Sequence, residues 1–172
     1  MKRLAIAVLC ACGYQPLYAT PGGEAYHVHL TRNRTASAMV AEEVLRGARE
    51  TLAKEGALAA GDEGYPRIEI EVLRADETSE GVVAKQTVGG EAPEATASDL
   101  AVVARGFVAR RAGGATELDT GDLRAEDVAA VPDSATAAIW QREDSLRAVA
   151  HRLGGRIALK ILGHPVVTAP SD

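Results

Sequence analysis

The sequence predicts an α+β fold, a two-layer sandwich with two helices packed on one face of a small mixed sheet. Three observations predict it. A strand pattern from Tyr26 to Leu30 is followed by helical spacing from Thr35 to Gly56. Several strand patterns then run between Ile68 and Arg111, and a second, longer helical stripe closes the chain before Gly163 and Pro165. With 172 residues, 47% of them apolar and 25% charged, the composition is that of one globular domain large enough to hold a core.

In the first strand Tyr26, Val28 and Leu30 alternate with His27 and His29, so one edge is apolar and the two histidines share the wet face. The first helix places Val40, Val44, Ala48 and Leu52 on one stripe, joined by Leu45, with Thr35 or Ser37 as N-cap and Gly56 as stop. Glu42, Glu43, Arg46, Arg49, Glu50 and Lys54 form its solvated side. After a turn over Gly61 to Pro66, Ile68, Ile70 and Val72 alternate with Arg67, Glu69 and Glu71. A further strand is expected over Val82 to Val88 and another over Leu100 to Arg111, with a mobile stretch from Glu91 to Ser98 between them. Past the Gly113-Gly114 turn, Thr116 to Thr120 reads as a short strand and Gly121 to Pro132 as an acidic connector. Asp133 or Ser134 caps the last helix, whose core stripe is Ile139, Leu146, Val149, Leu153, Ile157 and Ile161. Gly154-Gly155 interrupts it, at about 1 kcal/mol per glycine relative to alanine, and marks a kink or a close approach to the sheet.

The amino terminus has its own logic. Lys2 and Arg3 precede an uncharged apolar run from Leu4 to Ala11, far shorter than the roughly 20 residues of a membrane span, which reads as an export signal over residues 1–11. Leu9, Ala11, Cys12 and Gly13 resemble a bacterial lipoprotein box, with Cys12 as the acylated residue; the bulky Leu9 before Cys10 disqualifies that cysteine. A metal or redox role for Cys10 and Cys12 lacks further cysteine ligands, since the chain has only these two. Residues 12–24, with Pro16, Pro21, Gly22 and Gly23, read as a lipidated tether, residues 25–165 as the single folded domain, and 166–172 as a disordered tail. Gly13, in place of the Asp that favours inner-membrane retention, points to the outer membrane. Loss of Lys2 and Arg3 leaves 17 basic against 24 acidic residues, so acyl chains and not charge supply the anchoring.

Several function classes drop out. A net charge of −5 and 3% aromatic residues give little for nucleic-acid binding or base stacking. No nucleophile elbow, P-loop, dinucleotide fingerprint or zincin motif occurs, so enzyme activity and a bound cofactor are not expected. Asp119 with Asp122, or Glu42 with Glu43, are ordinary surface carboxylates in sequence, and His27 with His29 lacks a third metal ligand.

The opening Cys12-Gly13-Tyr14-Gln15-Pro16-Leu17-Tyr18, with the element order behind it, resembles the lipopolysaccharide-assembly lipoprotein family known as LptE. The phrase from Asp99 to Gly106 and the long terminal helix add to the likeness, while the loop from Thr87 to Ser98, rich in Gly, Pro and Glu, departs from it. The resemblance implies an α/β sandwich, palmitate-type acylation at Cys12, and a non-enzymatic role as plug and assembly partner of the LptD barrel that also engages lipopolysaccharide. Phosphate contact then asks for clustered arginines. Arg105 and Arg111 are expected on one face of the third strand pattern, with Arg110 at its tip, and Arg152, Arg156 and Lys160 form a second stripe on the last helix. The competing reading is a structural adaptor lipoprotein of another envelope complex.

Overall fold

The structure, a computed structural model, describes residues 23–61, 63–83, 94–130 and 134–166. The signal, Cys12, most of the tether, the loop around Pro93 and the tail from 167 onward lie outside these residues. The chain forms β1 (His27–Asn33), α1 (Ala38–Lys54), β2 (Arg67–Val83), β3 (Glu94–Ala109), β4 (Leu118–Ala130) and α2 (Ala135–Ile161). The sheet has the order β1-β2-β3-β4, with β1 parallel to β2 and the other pairs antiparallel. It is mixed because α1 carries the chain back across the sheet before β2 begins, as a parallel pair requires. The α+β class and its strand-helix-strands-helix order are those the sequence predicts.

Both helices cover one face. Val28, Ile68, Ile70, Val72, Val102, Ala104, Val108, Leu123 and Ala125 meet Val40, Val44, Ala48 and Leu52 of α1 and Leu146, Val149, Leu153 and Ile157 of α2 in one buried cluster. The helices touch through glycines. A Cβ on Gly154 would lie 1.9 Å from the carbonyl oxygen of Val44, and one on Gly47 1.9 Å from that of His151. Gly154 is thus a point of close approach, as its sequence position suggests, but to α1 and not to the sheet.

Four expectations are corrected. The acidic segment after Gly121 is no connector, since β4 continues through Ala130 and pairs with β3 to Ala97. Its inward residues Leu123, Ala125 and Ala129 are buried, Asp122, Arg124 and Glu126 point off the uncovered side of the sheet, and Asp127, on the helix side, pairs with Arg152 of α2. Of the separate strand expected over Val82 to Val88, Val82 and Val83 are the end of the long β2, and residues 84–88 lie outside the described residues. Residues 94–98, expected to be mobile, are strand residues paired with β2. Ile139 is 61% exposed, not core. It stands twelve residues before His151 at the helix contact, whereas α1 begins nine residues before its partner Gly47, so the first turns of α2 overshoot α1.

Candidate functional site

Because both helices lie on one side, the other face of the sheet has no covering element among the described residues, and its side chains are the surface offered to a partner. Period two sends the residues between the core positions there. Register then sets them in rows. Arg32 lies beside Glu71, Glu71 beside Arg105 and Arg105 beside Asp122, while Arg74, Val103 and Arg124 form another row and Asp76, Ala101 and Glu126 a third. Val103 and Ala101 are nonetheless buried, which is what long flanking side chains achieve by laying their stems over small neighbours. Ion pairs bind the face together, with Arg34 2.7 Å from Glu71, Arg74 3.0 Å from Asp76 and Arg124 2.8 Å from Glu126. The result is a polar surface of alternating sign.

The arginines expected from the sequence sit at one end of this face. Arg105 donates through Nε to Asp119 Oδ1 at 2.8 Å and through Nη2 to Oδ2, a two-pronged pair, and its guanidinium stacks over the Phe107 ring at 5.2 Å. That pair, with the backbone N–H of Gly121 next in weight, holds the Asp119 carboxyl down at about 2. A bulge makes it possible. The register of β3 and β4 shifts between Arg105 and Phe107, the Gly106 N–H donates to the buried Thr120 Oγ1 at 2.9 Å, and Gly121 turns with φ 65°. Gly106 has no room for a side chain, since a Cβ would meet Ile157 at 2.5 Å.

Arg110 bridges two carboxylates, Glu117 across the β3-β4 turn and Glu24 at the entry to β1. Tyr26 donates its hydroxyl to the same Glu24 at 2.8 Å. Burial first and this bond second push the Tyr26 phenol up to about 12, while the Tyr26 and Arg110 bonds draw Glu24 downward. The chain therefore enters the domain pinned at the β3-β4 end. Arg111 does not share a strand face with Arg105, because β3 ends at Ala109; it stands exposed in the turn, where its carbonyl accepts the Gly114 N–H. Among the described residues it has no acidic partner. So the expected patch separates into two arginines committed to carboxylates and one free at the turn.

The helix stripe is also engaged. Arg152 reaches Asp127 at 3.2 Å and Arg156 donates to the Arg124 carbonyl at 3.1 Å, fastening α2 to the outer edge of β4. Lys160 is exposed and adds to the positive field at Asp119. His27 Nδ1 lies 3.1 Å from the Gly61 carbonyl, and among the described residues no group of three metal-ligating side chains forms. Sequence reasoning missed the acidic partners Glu24, Glu117 and Asp119; no local signal marks them, since two of the three contacts depend on the β3-β4 register and the third on where the chain enters.

No family model matches this chain, and no curated protein matches it in sequence. Solved structures do. A Caulobacter crescentus protein described as a lipoprotein superposes with a TM-score of 0.52 at 15% identity, over 76% of this chain and 88% of that one. Rare lipoprotein B from Shewanella oneidensis gives a TM-score of 0.52 at 12% identity, over 77% of this chain and 94% of its own. At these identities the likeness is one of fold, and the fold of this chain is one found in bacterial lipoproteins.

Proposed function

We propose that the protein is an outer-membrane lipoprotein, anchored through an acylated Cys12 and facing the periplasm, that serves as plug and assembly partner of an LptD-type barrel and contacts lipopolysaccharide. The observation that carries this reading is the fold shared with rare lipoprotein B behind an opening that resembles a lipoprotein box. The polar face supports it physically. A barrel lumen is polar, and a sheet face of alternating charge complements such a wall without burying unpaired ions, because each arginine brings its own acid. The entry clamp holds Glu24, the residue next to the tether's end, at the β3-β4 end of the domain. Of the three strand-end arginines, Arg111 is the free donor for a lipid A phosphate, whereas Arg105 and Arg110 hold carboxylates that a phosphate would have to displace.

Co-purification tests the reading. Tagged full-length protein extracted in mild detergent should bring down a barrel of the outer membrane, and its mature amino terminus should be an acyl-modified Cys12 by mass spectrometry. A chain that begins at Met1 defeats the lipoprotein assignment. A processed chain that brings down other envelope proteins and no barrel supports the adaptor reading instead.

A further inference from the structure

β1 stops short of its neighbour. The last bond from its side to β2 runs from the Arg34 N–H to the Val72 carbonyl at 2.9 Å, whereas β2 continues to Val83, paired with β3 all the way. Beyond Val72 the other edge of β2 has no strand beside it among the described residues. Register fixes which groups this edge presents. On β4 the Arg124 carbonyl accepts from Arg156 and the Val128 N–H donates to Asp127, so these two residues turn away from β3. Antiparallel alternation then directs Val103 and Asp99 to Arg74 and Thr78 of β2, and leaves Ala75 and Glu77 pointing their N–H and C=O groups outward. No described group bonds them.

The open edge borders a space of about 420 Å³ between the turn that follows β1 and the early turns of α2, where β1 would continue if it were as long as β2. Met39, Leu73 and Leu146 supply its apolar side chains. Ile139 stands two helical turns before Leu146 on the same stripe of α2 and is 61% exposed, so the stripe runs on past the covered core. The charges nearby are already paired, Arg74 with Asp76 at 3.0 Å and Arg142 with Glu77 at 2.5 Å. The space therefore suits a neutral side chain.

An extended peptide matches all three features. Its backbone meets the outward groups of Ala75 and Glu77, which neither an acyl chain nor an ion can pair in strand fashion, and its alternate side chains enter the space under α2. A second copy of this chain fits poorly, because its own open edge brings the Glu77 carboxylate to the helix side, where apolar side chains belong. We propose that the open edge of β2 binds a strand of another protein, amphipathic, with its apolar residues against Met39, Leu73, Leu146 and Ile139 and its polar residues beside Arg74, Asp76 and Thr78. The edge of the sheet is used, not its face, and the site stands whether or not that protein is the barrel.

The test uses the full chain in neutral detergent, titrated with the end-blocked peptide Thr-Val-Lys-Val-Thr-Val-Lys and followed by amide chemical shifts and hydrogen exchange. Saturable shifts are expected at residues 34–39, 73–79 and 139–146, with slowed exchange of the Ala75 and Glu77 amides. Two further peptides carry N-methyl groups, one on its valines and one on its Thr and Lys residues. The one whose methylated nitrogens face β2 should bind about tenfold or more weakly, and the other should bind as the parent peptide does, because the side chains are the same in both. Ala75→Pro removes an outward N–H without breaking a β2-β3 bond, so it should weaken binding with the unfolding midpoint unchanged. Should that variant not fold, the methylated peptides decide on the parent chain. The proposal is overturned by the absence of saturable shifts, by equal binding of the two methylated peptides, or by shifts confined to the open face of the sheet. It is equally overturned if the Ala75 and Glu77 amides are protected without peptide, whether in the monomer, where the chain itself holds the edge, or only in a concentration-dependent dimer.

Discussion

Gly154→Ala sets two well-known effects against each other and the geometry decides the sign. In an unconstrained helix the change stabilises by about 1 kcal/mol, the propensity difference between the two residues. At position 154 the new Cβ would stand 1.9 Å from the Val44 carbonyl oxygen and 2.8 Å from the Ala48 N. Both are backbone atoms of α1, so no side chain can rotate away and the helices must part by more than 1 Å. Overpacking typically costs about 1 to 3 kcal/mol, and a clash with backbone belongs at the upper end. The expected net loss is therefore about 2 kcal/mol, or about 4 to 8 °C in melting temperature for a chain of this size. Gly155→Ala is the internal control, because its Cβ meets the Thr51 Oγ1 at 2.9 Å, a side-chain end that can turn aside. It should leave stability unchanged or raise it slightly. Urea unfolding of the two variants beside the parent measures both. A Gly154→Ala protein as stable as Gly155→Ala would refute the close helix contact.

Other expectations are read as directly. Leu153 is fully buried against the sheet, so Leu153→Ala should cost about 2 to 5 kcal/mol in the same unfolding assay, and a change near zero would remove this helix face from the core. Asp119, held at about 2 by Arg105, contributes stability that is present above the ordinary carboxylate range near pH 4 and lost as pH falls toward 2. Arg105→Gln should flatten the stability profile in that window and leave it unchanged at pH 7 to 8 apart from a constant offset. The phenol of Tyr26 should ionise near pH 12 in an absorbance titration, and Tyr26→Phe should delete that step. Ile139 is exposed at the start of α2, so Ile139→Ser should shift stability by less than about 0.5 kcal/mol, where a loss of several kcal/mol would show that it is covered.

The sequence by itself determined what periodicity can determine. Val40, Val44, Ala48 and Leu52 repeat at helical spacing and Ile68, Ile70 and Val72 at strand spacing, and every one of them is buried. The class and order of elements followed, because each element needs only one apolar face and the sequence writes that face locally. The close approach at Gly154 was legible as well, though not the helix it meets. Tertiary structure alone decided the rest. Residues 121–130 read as a connector because Gly121, Asp122 and Asp127 are poor strand formers, yet pairing with β3, an uncovered outer face beside Asp122 and the partner Arg152 for Asp127 let them extend. Arg105 and Arg110 looked like free cations until a bulge at Gly106 brought Asp119 to one and the chain entry brought Glu24 to the other. Residues 34, 74 and 142 line one cavity only because β1 stops short of β2 and α2 overshoots α1. Lengths and registers of that kind are set by how whole elements pack, and no local spacing in the chain records them.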